Sequence, residues 1–396
     1  MAKDPYFLKL KPEDVSLWKR ETRLLSMLDV ELTERCNNNC VHCYINLPAE
    51  DRHAQEKELS AQEIKEILEQ ATSLGCLIVR FTGGEPLLRE DFEEIYLSAR
   101  KLGLKVVLLT NATLITPKLT RLFERTPPLE RIEVTVYGMK RSSYESVTCV
   151  PGSFEAAWRG IDLLLERRIP FMVKGTVLSI NRGEIADFES WASTIRWMVG
   201  PPSYSVFLDL RCRRDSQQKN GLIKGMRLSP EEVLEFLARR KEEYVKEMRE
   251  FCSRFTKPPG ESLFSCGAGV GGGCVDAYGN FQPCILLRHP DTVYDLKKGS
   301  LKDGMTSFFP RIREMKAENP DYLARCALCF LKGLCEQCPA RSWMEHGTLD
   351  ARVDYFCEIA HAQARYLGLL GEGEMGWEVE DWRERIKAFT GKEPTG

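Results

Sequence analysis

Three thiols in the run Cys36-Asn-Asn-Asn-Cys40-Val-His-Cys43 are the residues of this chain best suited to do chemistry. Thiolates spaced this closely clamp a 4Fe–4S cube, and three of them leave its fourth iron without a protein ligand. A cluster that only carries electrons is closed by four cysteines. The open iron is therefore expected to bind something else. A zinc loop is the alternative at this spacing, but structural zinc asks for four ligands. His42 is the nearest fourth candidate, although it lies between two of the cysteines.

Such a loop needs a frame. Residues 26–210 alternate between β-rich runs, at 28–32, 77–81, 105–109, 132–136, 171–177 and 204–210, and helix-like stretches. The stretches cover 60–73, 89–102, 117–125, 153–167 and 182–198, the first opened by a capping box of Ser60 and Glu63. Repeated strand–helix units predict parallel strands with helices outside, an α/β fold. Six of them suit a partial (βα)6 barrel of the TIM type or an open sheet. Chemistry is then expected at the C-terminal strand ends. The cysteine loop follows the first strand, Gly83-Gly-Glu-Pro86 the second and Thr110-Asn111 the third. One shared site is the simplest reading.

The whole chain narrows the function. It has 396 residues, 43% apolar and 29% charged, with a formal charge of −2. That balance predicts neither nucleic acid nor an anionic membrane as partner. No apolar stretch approaches the roughly 20 residues that span a bilayer. The N-terminus lacks the apolar core of a signal peptide, so a cytoplasmic location is expected. In that compartment 15 cysteines read as metal ligands rather than disulfides.

Residues 211–262 read as a helical connector, with a charged helix over 229–255 and a break at Lys257-Pro-Pro-Gly260. From 263 the chain is rich in glycine and cysteine. Cys266, Cys274, Cys284, Cys326, Cys329, Cys335, Cys338 and Cys357 suffice for two more four-thiolate clusters, with two zinc ribbons as the alternative. A helix is expected over 355–370 and a tail over 372–396. Cys76, Cys149, Cys212 and Cys252 show no partner spacing. Cys212, beside Arg211 and Arg213, is a candidate for a lowered pKa.

The triplet and Gly83–Pro86 together resemble the radical S-adenosylmethionine (SAM) superfamily, over roughly residues 26–210. The resemblance implies that SAM chelates the open iron and is cleaved by one electron to methionine and a 5′-deoxyadenosyl radical. It implies SAM contacts at Gly83, Gly84, Glu85 and Pro86, and at His42 near the adenine. Asn111, Thr135 and Lys174 are further implied contacts; no acid or base is assigned. Residues 263–371 resemble the SPASM extension, a cysteine-rich domain of irregular structure that holds auxiliary clusters. The family's interleaved pairing would put Cys266, Cys274, Cys284 and Cys338 on one cluster, and Cys326, Cys329, Cys335 and Cys357 on the other. Cys335-Glu-Gln-Cys338 departs from the usual C-x3-C, which touches the pairing of Cys338.

Such domains accompany peptide and protein substrates. Sulfatase maturation would want Asp after Cys284, where this chain has Ile285. The expected function is maturation of a ribosomally made peptide by cross-linking, oxidation or epimerisation. A small-molecule dehydrogenase or epimerase is the alternative, and a non-catalytic iron–sulfur or zinc scaffold the alternative of another class. Residues 1–25 are too few for a leader-binding domain, so a separate leader-binding protein is an expected partner. The other expected partners are the precursor peptide and an electron donor such as flavodoxin or ferredoxin.

Overall fold

Alternate residues of the strands differ in kind, and the sheet follows from that. In β1 (Leu25–Thr33), Leu28, Val30 and Leu32 are fully buried and alternate with Asp29, Glu31 and Thr33. Successive side chains on a strand point to opposite faces, so one face is apolar and the other polar. The pattern recurs in β2 (Ile78–Gly83), with Val79 and Phe81 against Arg80 and Thr82. After β3 (Lys105–Thr110), β4 (Leu129–Val136) repeats it with Ile132 and Val134 against Glu133 and Thr135. β5 (Phe171–Thr176) and β6 (Ser203–Ser205) complete a parallel run in the order β1-β2-β3-β4-β5-β6. Register sets Asp29 beside Arg80, and the two form an ion pair on the polar face.

This computed structural model describes residues 24–198 and 200–393. The expected N-terminal extension, 1–25, lies outside the described residues except for its last two. The crossover helices Ala61–Ser73, Phe92–Lys101, Pro117–Arg125, Ser153–Glu166 and Ile185–Ser193 follow the expected order. The first is opened by the Ser60–Glu63 capping box and buries Ile64, Ile67, Leu68 and Ala71. The α/β fold with a parallel sheet, consistent with a partial TIM-type barrel, is as expected. The sixth strand is shorter than 204–210. Its partner β5 stops at Thr176, so nothing remains to pair beyond Ser205.

Two compact units emerge, and their limits differ from the expected boundaries. The first takes residues up to 226 together with 267–310; the second takes 227–266 and 311 onward. Residues 267–310 join the barrel because β7 (Gly271–Val275) pairs in parallel with β1, seating Cys274 opposite Asp29. β8 (Asn280–Gln282) and β9 (Tyr294–Asp295) extend that edge antiparallel. In the second unit the charged helix is two, Pro230–Leu237 and Lys241–Phe255. The helix Asp354–Tyr366 ends before residue 370, where Gly368 takes a left-handed φ of 75°. The expected tail contains the helix Trp382–Thr390, whose Trp382 and Ile386 are buried with Phe330, Leu331 and Leu369.

Candidate functional site

The cysteine loop is tied down at its base, its tip and its flank. Arg35 and Leu47 pair across its base, and the Arg35 guanidinium holds Glu58 by two bonds of 2.9 and 3.0 Å. The backbone N–H groups of Asn39 and Val41 donate to the carbonyls of Thr148 and Val147, each at 2.9 Å. Arg211 donates to the carbonyls of Cys43 and Asn46, and is itself fixed by Asp215. Lys219 Nζ donates to Asn46 Oδ1 at 2.6 Å and Asn39 Oδ1 at 3.2 Å. None of these clamps was expected. Arg211 and Lys219 were read as the start of a connector, and only the basic run at 211–214 hinted otherwise.

Cys36, Cys40 and Cys43 share the wall of one cavity of about 370 Å3 at the C-terminal ends of the strands. Gly83, Gly84, Asn111, Thr135, Lys174 and His42 line the same cavity. Tyr137, Tyr204 and Asp209 join them there without having been expected. Asn111 reaches the cysteine loop directly, donating to Asn37 Oδ1 at 3.0 Å and lying 3.8 Å from Cys36 Sγ. Lys174 is paired with Glu133 at 2.9 Å while it lines the cavity. The His42 ring lies 5.5 Å from that of Tyr137, and burial lowers its pKa to about 4.

Glu85 and Pro86 do not line the cavity. The Glu85 carboxylate is fully buried and accepts from Thr110 Oγ1 and Asn111 N–H at 2.8 Å and from Leu87 N–H at 3.1 Å. It therefore braces the wall rather than facing a ligand. Burial pushes it up to about 7, against those three donors. The protein's own packing also requires the glycines. A Cβ on Gly83 would stand 2.0 Å from Thr33 O, and one on Gly84 2.2 Å from Arg35 O. The crowding comes from the chain's own backbone as it leaves β1.

A cluster with one open iron suits these residues. Backbone N–H groups of Asn38 and Asn46 point at Cys36 Sγ and Cys43 Sγ, at 3.4 and 3.3 Å, as thiolate acceptors require. Burial pushes the Cys36 thiol up to about 12 and the Cys40 thiol well above its usual value. Thiolates form there only against the positive charge of iron. Among the described residues no three His, Cys, Asp or Glu side chains are placed to grip a single metal ion; what the three cysteines share is a cavity wall.

A second thiol site stands within the second unit. Cys326, Cys329, Cys335 and Cys357 line a cavity of about 40 Å3 with Tyr322 and Trp377. Burial pushes Cys326 up to about 11 and Cys329 to about 12. His361 Nδ1 lies 2.8 Å from the Cys357 carbonyl, and its Nε2 accepts from Gly376 N–H at 3.0 Å. Cys274 and Cys284 belong to the first unit, Cys266 and Cys338 to the second. Cys212 departs from expectation: burial pushes it up to about 12, outweighing its basic neighbours.

Residues 30–192 match the family model of the radical SAM superfamily. The chain carries a radical SAM domain. Such a domain implies a 4Fe–4S cluster and SAM. Over 335 residues the chain is 27% identical to an AdoMet-dependent heme synthase of Methanosarcina barkeri, covering 80% of this chain and 92% of that one. An enzyme of the same name from Oleidesulfovibrio alaskensis is 26% identical, covering 80% and 83%. In fold, the radical SAM domain and the rest of the chain are similar to SuiB of Streptococcus suis bound to SAM, with a TM-score of 0.61 at 18% identity over 85% of this chain and 77% of that one. The enzyme anSMEcpe with bound AdoMet gives 0.59 at 13% identity over 94% and 100%. Among the described residues, no helix is long and apolar enough to cross a membrane.

Proposed function

We propose that this radical SAM enzyme binds its cluster through Cys36, Cys40 and Cys43, seats SAM against Gly83, Gly84 and Asn111, and modifies a peptide or protein. The observation that carries the first part is the single cavity that these residues share. When bound, the cluster and SAM supply one-electron cleavage to a 5′-deoxyadenosyl radical. The chain's own residues hold and orient. Arg35, Arg211 and Lys219 fix the cysteine loop, Glu85 braces the wall behind it, and Lys174 and Thr135 offer a cation and a hydroxyl to a carboxylate or ribose. Holding the reacting groups in place is the larger part of what a protein adds to such chemistry.

The peptide reading draws support from β6. It ends the sheet, and Ser203, Tyr204 and Ser205 line the cavity. An extended peptide can add to such an edge by main-chain bonds and present a side chain to the site. A fold neighbour, anSMEcpe, is known with bound AdoMet and a peptide, at a TM-score of 0.60. The four-thiol cavity is assigned, on the same reading, to an auxiliary cluster of a SPASM-type domain that relays electrons. A flavodoxin or ferredoxin as donor and a separate leader-binding protein complete the proposal.

A second reading, a heme precursor as substrate, is favoured by the names of relatives that match along 80% of the chain. Anaerobic reconstitution followed by SAM and a reductant tests both. The enzyme is expected to release 5′-deoxyadenosine, and to modify a precursor peptide encoded near its gene. Turnover of an iron tetrapyrrole with no peptide modified would favour the second reading; no 5′-deoxyadenosine at all would sink both.

A further inference from the structure

Asn38 sits in the cysteine loop between Cys36 and Cys40, only 3% exposed, and lines the shared cavity. Its main chain is fully engaged. The N–H points at Cys36 Sγ at 3.4 Å, and the carbonyl accepts from Asn46 Nδ2 at 3.2 Å. The side chain is the reverse: neither Oδ1 nor Nδ2 reaches solvent or a hydrogen-bond partner among the described residues. Buried polar groups are almost always satisfied, and a carboxamide with both ends orphaned is the exception that asks for a ligand. A merely structural residue here would be expected to be apolar, or to bond to its neighbours as Asn37, Asn39 and Asn46 all do.

We propose that the Asn38 carboxamide is a cofactor-binding group that donates from Nδ2 to a sulfide of the cluster held by Cys36, Cys40 and Cys43. The inference rests on the proposed function of that cavity. Its backbone N–H already lies against the Cys36 sulfur, and the residue lines the cavity that Cys36, Cys40 and Cys43 share. Asn46 and Cys36 hold the main chain on either side, which leaves the carboxamide little freedom to turn elsewhere. Hydrogen bonds to cluster sulfurs stabilise the reduced, more negative form and raise its potential. Asn38 would thus make the cluster easier to reduce, the step on which cleavage depends.

The test uses the full chain, reconstituted anaerobically, with iron and sulfide analysis as the check on loading. Spectroscopic redox titration follows the cluster whose signal changes when SAM is added. Asn38→Leu keeps the bulk and removes the donor. Its oxidised-to-reduced ratio at fixed potential should rise roughly tenfold, equivalent to about 59 mV for a one-electron couple. Asn38→Ala, which also lacks the N–H and adds no charge, should shift in the same direction and carries the test if the leucine variant loads poorly. A loaded variant with the wild-type potential overturns the assignment, even if its SAM affinity has changed. Wild-type protein with no cluster at Cys36, Cys40 and Cys43 would overturn the reading beneath it as well, a result plainly distinct from an unshifted potential.

Discussion

The two thiol cavities differ in what surrounds the sulfurs more than in the sulfurs themselves. Three cysteines line about 370 Å3 in the first unit, among glycines, hydroxyls, a lysine and three asparagines. Four line about 40 Å3 in the second, with Tyr322, Leu331 and Trp377 and also Lys332, Gln337 and Arg352. Room beside the first suits a cofactor and a substrate. Four ligands and little space beside the second suit a group that exchanges nothing but electrons. Under the proposed function, the missing fourth cysteine and the room beside the other three are two signs of one open position.

The largest effect should come from breaking that distinction at the cysteines. Cys36→Ala, Cys40→Ala or Cys43→Ala is expected to lower 5′-deoxyadenosine formation by about a thousandfold or more, since the chemistry needs the cofactor at that site. Cys357→Ala should leave this cleavage measurable and depress substrate modification. Chromatography of the nucleoside product beside mass spectrometry of the substrate separates the two. Equal loss of cleavage in both would erase the proposed division of labour.

A buried group behind the first cavity and one lining the second should also respond to pH in opposite senses. Burial holds the Glu85 carboxyl up to about 7, above its ordinary 4.5. Between those values the unfolded chain is ionised there and the folded one protonated, so stability is lost as pH rises. The loss is about 1.4 kcal/mol per pH unit, about 3 kcal/mol across the window as an upper figure. Glu85→Gln should accordingly gain on wild type between pH 5 and pH 8, read from urea midpoints. His361 behaves in reverse. Burial holds it below its ordinary 6.5, so the unfolded chain takes the proton first and the second unit weakens as pH falls below that value. Acid unfolding followed by the fluorescence of Trp377 and Trp382 checks this.

A smaller effect is expected at Gly84. Its Cβ would meet Arg35 O at 2.2 Å, so Gly84→Ala should cost about 1–3 kcal/mol by forcing β1 and the turn apart. It should lower iron loading of the first cavity and spare the second. Chemical denaturation and iron analysis measure both. A fully loaded, fully stable alanine variant would show that the backbone at Arg35 can give way and does not require the glycine.

Five of the six parallel strands and the helices between them were readable because apolar residues alternate or recur at the spacing each element needs. Ser60 and Glu63 marked a helix start that the structure repeats. Less legible was how residues distant in sequence share work. Strand β7, in a glycine-rich segment with little periodicity, joins β1 through backbone bonds that any residue can make. Helix Trp382–Thr390 carries its apolar residues among charges and so resembles a tail in sequence, though Trp382 and Ile386 are buried.

By itself the sequence determined the chemistry available: three closely spaced thiols, a glycine pair after the next strand and eight thiols further on. Ligand type and spacing are local, and local properties survive without a fold. Only the tertiary structure decided that Glu85 braces a wall, that Arg211 and Lys219 clamp the cysteine loop, and that the Asn38 carboxamide is left with nothing to bond. Each depends on which atoms from distant segments arrive within hydrogen-bond reach and which are shut away from water. That is set by packing, to which spacing along the chain is blind.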